Sequence, residues 1–125
     1  MYTVTVRRGI IAQHYLTVPN PGPEGQLHSH SFGLEVTFEG PELNQYGYLV
    51  DIDAVKTALD AVEDRYADAT LNDLPEFEDR NPSVEHFSRI ITNTILDTAA
   101  PANPEHLQVR IWEDDEAAAS YETAI

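Results

Sequence analysis

The first chemistry legible in this chain belongs to three histidines: His28 and His30 in "GQLHSHSF", and His14 upstream in "IIAQHYL". Neutral imidazole is a good ligand for Zn²⁺. A set of three leaves a fourth coordination position open to water or substrate, as in catalytic zinc sites. His28 and His30 stand two residues apart, and on a strand that spacing sends both rings to one face. His14 ends an earlier strand-like stretch, from which it can meet them across a hairpin. The same spacing also fits a solvent-facing or merely hydrogen-bonded pair, so spacing alone leaves both readings open. Cysteine is absent, which excludes thiolate ligands, disulfides and a cysteine nucleophile.

The elements that must position these rings follow from hydrophobic period. "YTVTVRRGIIAQHYL" alternates at Tyr2, Val4 and Val6 and then turns continuously apolar, which predicts a strand. "TVPNPGPEGQ" (17–26) holds three prolines and two glycines and reads as a loop. "HSFGLEVTFEG" alternates again, with Phe32, Leu34, Val36 and Phe38 on one face, so the two strands predict a hairpin with a long connection. Tyr48 to Ile52 reads as a continuation of the sheet edge, with Asp51 or Asp53 capping a helix whose stripe is Val55, Leu59, Val62 and Tyr66. "NPSVEHF" announces a second helix, with Asn81 as N-cap, Pro82 at the first helical position and Glu85 in the first turn. Its buried stripe is Val84, Phe87, Ile91 and Ile95, and it runs to about Thr98 before "AAPANP". Two strands close the chain, "HLQVRIWED" and "AASYETAI". The order β, β, α, α, β, β predicts one α+β domain over 1–125, an antiparallel sheet with both helices on one face. Its two exposed edges are a hazard that pairing between protomers would remove, so a homo-oligomer is expected.

Charge narrows the setting. There are 22 acidic residues against seven basic ones, a formal −15, and Lys56 is the only lysine. Self-repulsion of that size destabilises a compact state in dilute buffer. At about 1 M salt the Debye length is near 3 Å and the penalty fades. A salt-adapted (halophilic) cytoplasm is therefore the expectation, with a basic partner as the competing explanation. Nucleic acid is a poor partner, because phosphates need a cationic footprint that is missing. No run of about 18 apolar residues suggests a membrane span. "MYTVTVRRGI" lacks the apolar core of a signal peptide, so a soluble cytoplasmic protein is expected.

The ordered pattern "AQHYL … GQLHSHSF … GYLVDI … LND … NPSVEHF … RIWED … SY" resembles the 6-pyruvoyl-tetrahydropterin synthase family, which includes the 6-carboxytetrahydropterin synthases of queuosine biosynthesis. The resemblance runs over nearly the whole chain. It implies the tunnelling fold, with ββααββ protomers whose sheets close into a barrel in trimers, often stacked as hexamers. It implies zinc held by His14, His28 and His30. It also makes Glu113, in "RIWEDD", the acid that grips the pterin substrate. A carboxylate can accept from a pterin's 2-amino group and adjacent N–H together, and its charge strengthens both bonds. Without the resemblance, Glu113 reads as a solvated acid in the run "EDDE".

The pattern also breaks. Relatives acting on 7,8-dihydroneopterin triphosphate commonly carry a cysteine four residues before the first histidine of the pair, and here that position is Glu24. Their Asp-His dyad ahead of "LN" falls on Ala67 and Asp68. A glutamate at the cysteine position resembles a subgroup that cleaves the substrate side chain to 6-hydroxymethyl-dihydropterin, for folate-type synthesis. Glu24 then becomes the general base, with Asp68 or His86 as proton shuttle. Glu24 reads equally as a surface acid in its loop, and His86 as an exposed helical residue. Ser29 replaces the family's glycine between the histidines, its side chain pointing away from them. Arg7, Arg8, Arg65, Arg80, Arg89 and Arg110 are the candidates for a triphosphate. The expectation is a zinc-dependent pterin lyase, the alternative a pterin- or purine-binding homologue that keeps zinc without turnover.

Overall fold

A computed structural model describes residues 1–125. Strands β1 (Tyr2–His14) and β2 (His28–Gly40) form the long antiparallel hairpin, with Val6 opposite Val36 and His14 opposite His28. Helices α1 (Ile52–Tyr66) and α2 (Val84–Ala99) follow, then β3 (His106–Trp112) and β4 (Ala118–Ala124). The sheet is antiparallel throughout, in the order β1-β2-β3-β4. Both helices pack on one face of it, against β1 and against β3 and β4.

Alternation decides which face is buried. Phe32, Leu34, Val36 and Phe38 on β2 and Leu107, Val109 and Ile111 on β3 are all buried. They meet Val55, Leu59, Val62 and Tyr66 of α1 and Phe87, Ile91 and Ile95 of α2, the stripes that the three- and four-residue spacing predicts. Ser88 and Thr92 lie within this layer without cost because their hydroxyls donate to the carbonyls of Glu85 and Ser88, at 2.8 and 2.7 Å. Arg8 shares the helix-facing side of β1 and ties α1 to the sheet through Asp60 and Glu63, at 2.9 and 2.8 Å.

Two local expectations are corrected. Helix α2 is capped by Ser83, whose Oγ accepts from the His86 N–H at 3.1 Å, and it starts at Val84. Asn81 is not the cap. Its Oδ1 accepts from the Thr17 N–H at 2.9 Å, so it serves the β1–β2 connection instead. Tyr48 to Ile52 does not extend the sheet either. Asn44 Oδ1 accepts from the N–H groups of Tyr46 and Tyr48, making a tight loop that turns through Gly47 at φ 79°. Leu49 and Val50 are buried from this loop, and Asp51 caps α1 by accepting from Asp53 and Ala54.

One of the two sheet edges is partly closed by the chain itself. The connection between the helices runs along the end of β1. Gln13 N–H donates to Ala69 O at 2.9 Å and Asp68 N–H to Ile11 O at 2.6 Å, while Asn72 exchanges two bonds with the Tyr15 backbone. The rest of β1 and the outer side of β4 have no strand beside them within the protomer.

Candidate metal centre

The buried stripe of β2 does not stop at Phe32. Continuing in steps of two, it passes through His30 and ends at His28, and the inward stripe of β1, through Ile10 and Ala12, ends at His14. The hairpin register sets His14 opposite His28 and Ala12 opposite His30. Three imidazoles thus gather where the hydrophobic layer runs out, with ring centroids 4.6 to 5.1 Å apart. One ligand nitrogen from each ring lies within 4.8 Å of the others. His14 is 1% exposed, and Phe32 packs beneath both His14 and His30, at 5.9 and 5.3 Å between centroids.

Backbone carbonyls orient two of the rings. His14 Nδ1 lies 2.9 Å from Pro82 O, and His28 Nδ1 lies 2.8 Å from Gln26 O. A carbonyl only accepts, so each Nδ1 carries the proton and each Nε2 keeps its lone pair. The Nε2 atoms of His14, His28 and His30 are all buried and lack a hydrogen-bond partner. An unsatisfied buried ring nitrogen is costly, and three pointing into one small volume form a donor set suited to a divalent ion of the zinc type. Burial pushes the His14 pKa down, against the opposing pull of its bond to Pro82 and with help from the neighbouring imidazoles. The shift favours the neutral ring that metal ligation requires.

Glu113 follows the last residue of β3 and stands at the rim of this group. Its Oε1 is 3.1 Å from His30 Nε2, but the pair lacks the alignment of a hydrogen bond. The turn after it is fixed by its neighbour. Asp114 Oδ1 accepts from Glu116 and Ala117 N–H at 2.8 and 2.9 Å, and Glu113 N–H donates to Ala117 O at 2.9 Å. Those two backbone donors hold the Asp114 carboxyl below its ordinary pKa. Beside Glu113 a small cavity of about 150 Å³ is lined by Val84, Glu85 and Ala117–Ala119.

The remaining sequence-derived candidates lie apart. Glu24 is exposed in a 3-10 turn (Gly22–Gly25) and touches the site by its field on His14, its carbonyl being taken by Leu16 N–H at 2.9 Å. Asp68 is exposed beside the edge of β1, at φ 60°. His86 sits half-buried in the first turn of α2. No hydrogen bond or ion pair joins the side chains of these three to the histidines. Of the arginine candidates, Arg8 and Arg65 are bound to carboxylates elsewhere, and Arg7 pairs with Glu35 on the opposite sheet face. Sequence reasoning missed the carbonyls of Pro82 and Gln26, because a backbone acceptor leaves no mark in residue type.

A four-stranded antiparallel sheet with two helices on one face is the architecture of the tunnelling fold, and here three histidines gather at the loop end of its first hairpin. A family model for 6-pyruvoyl tetrahydropterin synthase matches residues 3–124, and the chain belongs to that family. The 6-carboxy-5,6,7,8-tetrahydropterin synthase of Bacillus subtilis (strain 168) is 26% identical over 88 residues, a stretch covering 70% of this chain and 58% of the relative. The aligned stretch thus spans little more than half of that relative's length. Among solved structures, the 6-pyruvoyl tetrahydropterin synthase of Caenorhabditis elegans superposes with a TM-score of 0.80 at 18% identity, covering 98% of this chain and 97% of the other. A Plasmodium vivax 6-pyruvoyltetrahydropterin synthase superposes at 0.80 with 13% identity, covering 99% and 98%.

Proposed function

We propose that the protein is a zinc-dependent lyase of pterin biosynthesis, acting on 7,8-dihydroneopterin triphosphate and releasing 6-hydroxymethyl-dihydropterin. The single observation that carries the reading is the convergence of three buried, partnerless Nε2 atoms beside Glu113. His14, His28 and His30 would hold the ion, and Pro82 and Gln26 fix the tautomer of two of them. Bound there, zinc supplies Lewis acidity toward oxygens of the substrate side chain. Glu113 takes the 2-amino group and adjacent N–H of the pterin ring, a paired charge-assisted contact that fixes the ring's orientation. Glu24 serves as general base for a side-chain hydroxyl, with Asp68 or His86 passing the proton onward. In the Plasmodium vivax relative a glutamate is a catalytic residue, which supports giving Glu24 that role. The open edges of β1 and β4 favour association between protomers, and the family resemblance implies a trimer or hexamer as the working form.

A second reading has its own support. Ala67 and Asp68 stand where the family's dyad is expected, and the Glu24 carboxylate is exposed. A pterin- or purine-binding homologue that holds zinc without turnover fits those two facts. Metal analysis and chromatographic identification of the product, both in concentrated salt, separate the readings. The lyase requires close to one zinc per chain, conversion of the triphosphate, and loss of turnover in Glu24→Gln. Equal rates in wild type and Glu24→Gln remove that residue from the mechanism. Zinc and pterin bound without product would establish the binding protein.

A further inference from the structure

We propose that Asn72 and Asn81 are positioning residues of the metal centre, holding the chain just past His14 so that its Nε2 stays aimed at the other two imidazoles. The inference rests on the metal part of the reading above and not on which reaction is catalysed. Of the three histidines, His14 is the one that its own strand cannot place. His30 lies inside β2, and the His28 ring is held by Gln26 O, two residues away. His14 is the last residue of β1, and the hairpin ladder ends at its pairing with His28. Its ring rests on the carbonyl of Pro82, 68 positions away. Past a strand end the peptide groups must find new partners to stay in place.

Two asparagines supply those partners. A side-chain amide carries the same kind of donor and acceptor as a peptide group. Asn72 uses both on one residue. Its Oδ1 accepts from the Tyr15 N–H at 3.0 Å and its Nδ2 donates to Tyr15 O at 2.9 Å, which carries the ladder one residue past His14. The Tyr15 N–H belongs to the peptide unit that leaves His14, so this bond fixes the setting of the His14 Cα. Asn81 Oδ1 accepts from the Thr17 N–H at 2.9 Å and from Thr17 Oγ1 at 3.4 Å. The next residue along is Pro82, buried, whose carbonyl takes the His14 Nδ1–H. Asn81 O in turn accepts from the Ser83 N–H at 2.8 Å, closing a tight turn around Pro82. Residues 14–17 and 81–83 therefore grip each other twice, side chain to backbone in each direction. A productive metal geometry tolerates displacements of only about 0.5 Å, and these clasps impose that limit on a strand end.

The test reads metal affinity and ring tautomer, in about 1 M salt so that added charge is screened. Zinc affinity is measured against a chromophoric chelator. Long-range proton–nitrogen NMR of the metal-free protein reports which His14 nitrogen carries the proton. Asn72→Ala and Asn81→Ala should each weaken zinc binding about tenfold and turn the single His14 tautomer into a mixture of two. The aspartate variants separate hydrogen bonding from charge. Asn81→Asp keeps the one atom that bonds Thr17 and should match wild type in both readings. Asn72→Asp brings the same charge but loses the donor to Tyr15 O, and should resemble Asn72→Ala. Glu76→Gln, which weakens a cluster with Arg65 and Tyr66, controls for lost stability alone and should leave both readings at their wild-type values. Wild-type affinity and an unchanged tautomer in both alanine variants would overturn the proposal. Should the alanine variants fail to fold, the aspartate pair decides, equal affinities for Asn72→Asp and Asn81→Asp being the refuting outcome. A wild-type chain that binds no zinc defeats the metal reading alone, and the His14 tautomer of the metal-free variants still tests the asparagines.

Discussion

Replacing Glu76 by glutamine should cost stability near neutral pH and cost almost nothing in acid. Glu76 receives both Arg65 Nε and NH2 at 2.6 Å, and the hydroxyl of buried Tyr66 at 2.6 Å. These donors, Arg65 foremost, hold its pKa at about 2 against an ordinary 4.5. The Glu76 side chain is 22% exposed, so solvent screens the cluster only partly. The gap between the two pKa values corresponds to about 3 kcal/mol of folding free energy. The folded value is the lower one, so this contribution is fully present above the unfolded pKa and drains away as pH falls through about 2. Glutamine keeps the size and one acceptor but loses the charge, so Glu76→Gln should fall short of wild type by about 2–3 kcal/mol near neutrality. Urea unfolding followed by circular dichroism at pH of about 7, 5 and 3 measures the difference, which should narrow at the lowest value. A gap that stays constant across the series would show that the loss is one of packing, and the electrostatic account would be wrong.

Three further outcomes are expected. Zinc at a hundredfold excess over its Kd should add about 3 kcal/mol and raise Tm by roughly 10 °C; a chelator should reverse the shift, and alanine at His14, His28 or His30 should abolish it. A methyl group on Gly40 would lie 3.0 Å from Leu49 Cδ1 and 3.3 Å from Pro104 Cα. Leu49 can yield and the Pro104 backbone cannot, so Gly40→Ala should cost about 1–3 kcal/mol in denaturant titration. With a formal charge of −15, Tm should climb as salt rises from about 0.1 M toward 1 M and beyond, and a flat response would remove the salt-adaptation argument.

What was legible beforehand is what repeats. The two-residue period of β2 fixed both the core and the direction of His28 and His30, because one alternation runs through Phe38, Phe32 and the histidines without a break. Helix stripes were legible for the same reason. The errors fell where a side chain had two possible employers. Asn81 and Ser83 both have the chemistry of an N-cap. Asn81 instead caps the Thr17 N–H, 64 residues away in sequence, and such a partner leaves no local signal. Tyr48–Val50 has strand-like composition, but the Asx turn at Asn44 bends it out of any ladder. At the site, spacing admitted a metal trio beside a merely solvent-facing pair, and the family resemblance was needed both to favour the trio and to single out Glu113. Its contact with His30 joins two strands over 83 positions and had no counterpart in composition or period.

Trp112 is the chain's only indole. It donates to Glu35 Oε1 at 3.2 Å from the sheet face opposite the histidines, one residue before Glu113. Light emission from this protein above the tyrosine range therefore comes from a single place, a peptide bond away from the proposed ring anchor. Pterins absorb in the near ultraviolet, so one settling against Glu113 should drain that glow by energy transfer. The molecule thus carries its own optical gauge for occupancy, readable without a label and without waiting for turnover.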